Sequence, residues 1–224
     1  MLTDFPAYEL YETIPDFHNT RKRFFDFVAA VGNDPVGRVK YVEQEIDFLF
    51  DRRKMMSQVV KMIEDGVLPL RVTHNDTKIN NVMIDSSTGE ALCVIDLDTV
   101  MPGLAAHDFG DAIRFGASTA AEDERELSKV SLSLPCYEAF AEGFLGACGD
   151  SLTEAELETL PLGAKLMTLE CGMRFLADYL NGDVYFRVSR PGQNLDRART
   201  QLKLVQDMER QWDEMLRIAA RARG

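Results

Sequence analysis

The sequence predicts a mainly helical α+β domain, with a small β-structure carrying one polar loop. Three observations point there. Apolar residues recur at helical spacing through most of the chain, short apolar runs flank residues 74–81, and a hairpin turn follows. The chain has 224 residues, enough for a real core in one domain or two small ones.

Residues 1–19 hold Pro6, Pro15 and scattered aromatics without a period, and read as an extended linker that packs on the rest. Residues 20–224 form the folded lobe. From Thr20 to Val31 the positions Phe24, Phe25, Phe27, Val28 and Val31 suit an amphipathic helix, which Gly32-Asn33-Asp34-Pro35 stops. One longer helix is expected from Val39 to Asp65, with Gly66 as its stop. Leu68 to Thr73 reads as a strand. Val82–Ile84 and Ala91–Ile95 read as a hairpin around Ser86-Ser87-Thr88-Gly89, with Cys93 packed as a small hydrophobe. Helices follow over Asp108–Phe115 and Leu134–Ala147, around a charged, exposed stretch at 120–129. Thr153-Glu154-Ala155-Glu156 has capping-box spacing. Leu162, Leu166, Leu169, Met173, Leu176 and Leu180 then step by four and three, the stripe of a core helix. A last helix runs from about Leu195 with Trp212 on its apolar face.

Composition narrows the function. A net charge of −12 with no basic run excludes a nucleic-acid footprint. No apolar run approaches the ~20 residues that span a bilayer, and Met1-Leu2-Thr3-Asp4 is unlike a signal peptide. The four cysteines form no CxxC, so a reducing, cytoplasmic location is expected.

The chemistry gathers in Val72-Thr73-His74-Asn75-Asp76-Thr77-Lys78-Ile79-Asn80-Asn81-Val82, followed by Cys93-Val94-Ile95-Asp96-Leu97-Asp98. An acid (Asp76), a cation two residues on (Lys78), an amide (Asn81) and a second acid after an apolar run (Asp96) are what phosphoryl transfer asks of a protein. Catalysis there is mostly positioning and charge neutralisation. Asp76 would be the general base or orient the attacking hydroxyl, and Lys78 would neutralise the transferring phosphoryl group. Asn81 and Asp96 would hold magnesium, a hard cation that takes oxygen ligands. Taken singly, each has a plainer alternative: a turn aspartate, a surface lysine, a loop cap and a buried paired acid.

These segments, with Asp108-Phe109-Gly110-Asp111, resemble the catalytic loop and metal-binding strand of the kinase-like superfamily, and within it the aminoglycoside phosphotransferase family. Among its branches the chain is most similar to the N-acetylhexosamine 1-kinases, from about Tyr11 to the C-terminus. The resemblance implies the C-terminal lobe of a protein-kinase-like fold, with ATP and magnesium as cofactors. It implies transfer to the anomeric hydroxyl of an N-acetylhexosamine. His74 would support the loop, Asp108 would brace it, and Asp98 would back the metal ligands or cap a loop. Arg174 and Tyr185 match positions that contact the sugar; Glu170, Arg174 and Asp178 share one helix face.

Only 73 residues precede His74, two helices are already expected among them, and neither GxGxxG nor a Walker A sequence occurs. The expectation is therefore a lobe without its N-terminal β-lobe. The partners would be a small-molecule sugar and a nucleotide, with self-association or a complementing N-terminal lobe left open. Two alternatives stand beside this. The acceptor could be an aminoglycoside, choline-like alcohol or homoserine, or the chain could be a non-catalytic remnant that binds sugar or a protein partner.

Overall fold

A computed structural model describes residues 5–223. The part of the expected linker at residues 1–4, and residue 224, lie outside the described residues. The elements are α1 (Thr20–Asn33), α2 (Glu43–Asp51), α3 (Arg53–Glu64), β1 (Arg71–Thr73), β2 (Val82–Ile84), β3 (Ala91–Val94), β4 (Met101–Gly103), α4 (Ala105–Gly116), α5 (Leu134–Cys148), α6 (Glu154–Leu180), α7 (Gln193–Arg210) and α8 (Trp212–Arg221). Among the described residues no strand precedes Arg71.

Helix α6 is the axis, packed by α1, α4 and α7. Leu166, Leu169, Met173, Leu176 and Leu180 are buried along it, as their spacing predicts. Its N-terminus carries the predicted capping box: Thr153 Oγ1 accepts the Glu156 N–H, and Glu156 Oε2 accepts the Thr153 N–H at 2.8 Å. Glu156 also takes a two-pronged bond from Arg71 of β1, at 2.9 and 2.7 Å, joining the small sheet to the helix. Burial pushes the Glu156 carboxyl up, but the Arg71 guanidinium and the Thr153 N–H outweigh it and hold the pKa low. A lowered carboxylate pKa stabilises the fold above its unfolded value and is lost as pH falls through the folded one. Glu156→Gln should therefore cost about 1–3 kcal/mol near neutral pH. Its deficit against the wild type should close as pH falls below 4.5, which urea unfolding at a series of pH values would measure. An equal deficit at every pH would rule out this linkage.

Helix α4 crosses α6 at backbone contact. A Cβ on Gly110 would lie 2.3 Å from the Gly163 carbonyl oxygen, and one on Gly163 would lie 2.2 Å from that of Ala106. Only glycine permits this approach.

The predicted helix over Val39–Asp65 is two helices. Arg52 breaks it with φ −98° and ψ 8°. Its guanidinium is drawn to Glu209 of α7 at 2.7 and 3.0 Å, and bonds the Phe48 carbonyl. The final helix likewise breaks at Gln211, whose amide bonds the Leu132 carbonyl and Asp207. Both breaks are tertiary effects on runs with unbroken helical spacing. Phe25, placed inward by that spacing, is exposed because it lies one residue, roughly 100° of helix rotation, past Phe24.

The β-structure is two antiparallel pairs. Strand β2 pairs with β3 as the predicted hairpin, and β1 pairs with β4, which the sequence did not announce. Cys93 is exposed rather than packed, because a two-stranded hairpin standing clear of the helices has no inner face. Met83, Ile84, Leu92 and Val94 are exposed with it. No helix among the described residues is long and apolar enough to cross a membrane.

Candidate active site

The polar loop runs from the end of β1 to the start of β2 and is held from four sides. Asp108 of α4 accepts the backbone N–H of His74 at 2.9 Å and of Asn75 at 2.7 Å. Burial pushes the Asp108 carboxyl pKa up, against the pull of these two N–H groups. Thr77 Oγ1 donates to the Asp108 carbonyl, and Thr99 Oγ1 to that of His74, both at 2.6 Å. The His74 ring reaches the Ile95 carbonyl at 3.1 Å. Asn75 takes the left-handed conformation, φ 64°, which asparagine tolerates better than most residues. Its amide donates to the Thr99 carbonyl at 3.1 Å while its oxygen accepts from Thr73. Strand β4 passes so close that a Cβ on Gly103 would lie 2.5 Å from Asn75 Oδ1.

The fourth anchor was not foreseen. His18 bonds the Asn75 carbonyl through Nε2 at 2.9 Å and Glu170 of α6 through Nδ1 at 3.0 Å. Burial works against protonation of His18, but Glu170 outweighs it and raises the pKa. Glu170 is shifted down: burial opposes this, and His18 overcomes it. His107, 5.0 Å from the His18 ring, is pulled down to about 3 by burial and by the His18 charge, so it stays neutral.

Held this way, the loop presents Asp76 and Lys78 side by side. Lys78 Nζ lies 2.5 Å from Asp76 Oδ2, and Asn81 Nδ2 donates to the same oxygen at 2.9 Å and to the Asp76 carbonyl at 2.8 Å. Both donors leave the Asn81 amide oxygen free to accept or ligate. The Asn81 carbonyl receives the Ile95 N–H at 2.9 Å, so Asp96 is the next residue along from that bridge. Asp96 is left-handed, φ 62°, and exposed. Asp98 is also exposed, and its carboxylate makes no hydrogen bond among the described residues. No three His, Cys, Asp or Glu side chains among the described residues gather to hold a metal. Asp96 offers a carboxylate and Asn81 an amide oxygen as candidate ligands for a divalent ion. That hard-oxygen pair suits magnesium, which keeps several waters.

A cleft of about 500 Å³ opens beside Asp76 and Lys78, and Arg174 and Tyr185 line it too. The Arg174 guanidinium lies 5.5–5.9 Å from the ring centres of Phe17, Tyr185 and Phe186. It makes no hydrogen bond or ion pair with the described residues. Glu170, Arg174 and Asp178, expected on one helix face, do not pair with one another: Glu170 bonds His18 and Asp178 bonds backbone N–H groups. Asp178 is buried and accepts the N–H groups of Val184, Tyr185 and Phe186 at 2.8–3.0 Å, which folds Tyr185 back to the cleft. Four acids line the cleft (Asp76, Asp111, Glu122, Glu170) against five Lys and Arg (Lys78, Arg114, Arg174, Arg187, Arg197). It is thus locally cationic in a chain of net charge −12.

A model of the phosphotransferase enzyme family, APH, matches residues 4–142. The chain belongs to this family. The match spans the polar loop, Asp96 and Asp108, and stops before Arg174 and Tyr185. Phosphotransferase chemistry of the kinase-like kind is therefore the family's, and the helical lobe with its small sheets is consistent with it.

Sequence reasoning gave no role to His18, Asn75 or Asp111, and placed Glu170 only on the helix face it shares with Arg174 and Asp178. Asn75 carried a local signal, an asparagine just before the loop acid where a left-handed residue turns the chain. The contacts of His18 with Asn75 and Glu170 carried none, because they join residues 57 and 152 positions apart.

Proposed function

We propose that the chain transfers the terminal phosphoryl group of ATP to the anomeric hydroxyl of a neutral sugar, an N-acetylhexosamine. The supporting observation is the shared cleft: the loop acid and lysine, and an unpaired guanidinium framed by three aromatic rings, face one space of sugar size.

Asp76 accepts the hydrogen bond of the attacking hydroxyl and takes up its proton as the new oxygen–phosphorus bond forms and the bond from the terminal phosphorus to the bridging oxygen breaks, releasing ADP. Its carboxylate is aimed by Asn81 and by the clamp on the backbone at His74 and Asn75. Lys78 holds Asp76 in the resting state and is close enough to pair with the incoming phosphoryl oxygens. Asn81 and Asp96 would hold magnesium, which when bound neutralises the nucleotide's phosphate charge. Arg174 orients the acceptor through its oxygens, and Tyr185 covers an apolar face of the ring.

The cationic balance of the cleft favours a neutral acceptor over a polycationic aminoglycoside. An acceptor panel with ATP and magnesium, followed by phosphorus NMR, tests this. N-acetylgalactosamine or N-acetylglucosamine should give the 1-phosphate, and kanamycin, choline and homoserine should not. Turnover of one of those three without turnover of the sugars would overturn the acceptor assignment. Sugar binding without turnover of any acceptor would make the chain a sugar-binding lobe instead.

A further inference from the structure

Two buried carboxylates in the acceptor cleft each have one oxygen in use and one without a partner. Glu170, 2% exposed, spends Oε1 on His18, and its Oε2 is unpartnered. Asp111, 7% exposed, spends Oδ1 on Arg114 at 2.9 Å, and its Oδ2 is unpartnered. Both residues line the cleft that holds Asp76 and Arg174. Buried polar atoms in folded proteins are nearly always bonded, and an unpaired carboxylate oxygen out of water is costly. Donors brought by a molecule bound in the cleft would complete the bonding of these two oxygens.

The charge balance says what kind. Glu170 already faces His18, whose pKa that contact raises, and Asp111 already faces Arg114. Neither carboxylate needs a further cation, and the unpaired Arg174 one turn along α6 repels one. What the two oxygens lack is neutral hydrogen-bond donors, hydroxyl or amide N–H.

We propose that Glu170 and Asp111 are specificity-determining residues that read the donor groups of a neutral polyhydroxylated acceptor through Glu170 Oε2 and Asp111 Oδ2. Arg174 serves the acceptor's oxygens beside them, so the cleft distinguishes a polyol from a simple alcohol or an amine. This rests on the sugar-acceptor assignment above.

The test uses the full chain, without nucleotide, and ligand-observed NMR titration with N-acetylglucosamine, its 3-, 4- and 6-deoxy analogues, and glucose. Glu170→Gln retains an oxygen for His18 and turns the open position from acceptor to donor. Asp111→Asn does the same beside Arg114. Each variant should bind N-acetylglucosamine at least ~10-fold more weakly than the wild type. At least one deoxy analogue should bind the wild type more weakly than the parent sugar, and that penalty should shrink in one of the variants. Non-additivity of this kind is not expected of a merely structural residue.

If N-acetylglucosamine binds both variants as it binds the wild type, or every deoxy penalty persists in them, the donor-reading role fails while the sugar-acceptor assignment stands. If N-acetylglucosamine does not bind but glucose does, and the variants weaken it, the acceptor assignment fails and the donor-reading role stands. Binding of no neutral polyol overturns both. Should neither variant fold, the wild-type series decides: equal affinity for the parent and all deoxy analogues overturns the proposal.

Discussion

Asp76→Asn is expected to lower the phosphotransfer rate by about 10²–10⁴-fold, the range a positioned acid–base group supplies. The substitution is nearly isosteric, and the carboxamide oxygen can still accept from Asn81 and Lys78. What disappears is the negative charge that draws the hydroxyl proton. Acceptor affinity should change little, because the substitution leaves Arg174 and the aromatic rings around it unaltered. Parallel measurement of kcat and of the acceptor KM separates the two effects. A variant that keeps more than a tenth of wild-type kcat would remove Asp76 from the role of base. A large rise in KM with kcat unchanged would make it a binding residue instead.

The second large effect is on stability. Gly163→Ala should destabilise the protein by about 3 kcal/mol, toward the upper end of what overpacking a well-filled core costs. The added methyl would meet the Ala106 carbonyl oxygen and carbon at 2.2 and 2.8 Å, which are backbone atoms of a packed helix and cannot rotate away. Helix α4 must shift to admit it. The same helix carries Asp108, which fixes the loop through two backbone N–H groups, so kcat should fall as well. Gly143→Ala is the control: nothing lies within 4 Å of the new methyl, and the change should be neutral or stabilising by up to ~1 kcal/mol as alanine replaces a helical glycine. Urea midpoints for both variants decide the matter. Equal midpoints would mean that the α4–α6 approach is soft.

How far the chain could be read residue by residue follows from the range of the forces involved. The capping box at Thr153, the core stripe of α6 and the hairpin over 82–94 rest on neighbours within a few residues, so their spacing announced them. The grouping of Asp76, Lys78 and Asn81 was legible for the same reason, since all three lie within six consecutive residues of one loop.

The breaks at Arg52 and Gln211 were not legible, because each is imposed by partners distant in the chain: Glu209 in one case, Leu132 in the other. Cys93 was misplaced because an apolar strand does not say whether anything covers it.

By itself, then, the sequence determined the secondary elements of short range and the family chemistry of the loop. Tertiary structure alone decided that His18 and Glu170 anchor that loop. It also decided that α4 and α6 touch at glycine, and that two carboxylate oxygens of residues lining the cleft have no partner among the described residues. The reason is physical. Helical and turn preferences act between residues within a turn of one another, whereas ion pairing, burial and close packing act between atoms that only the finished fold brings together.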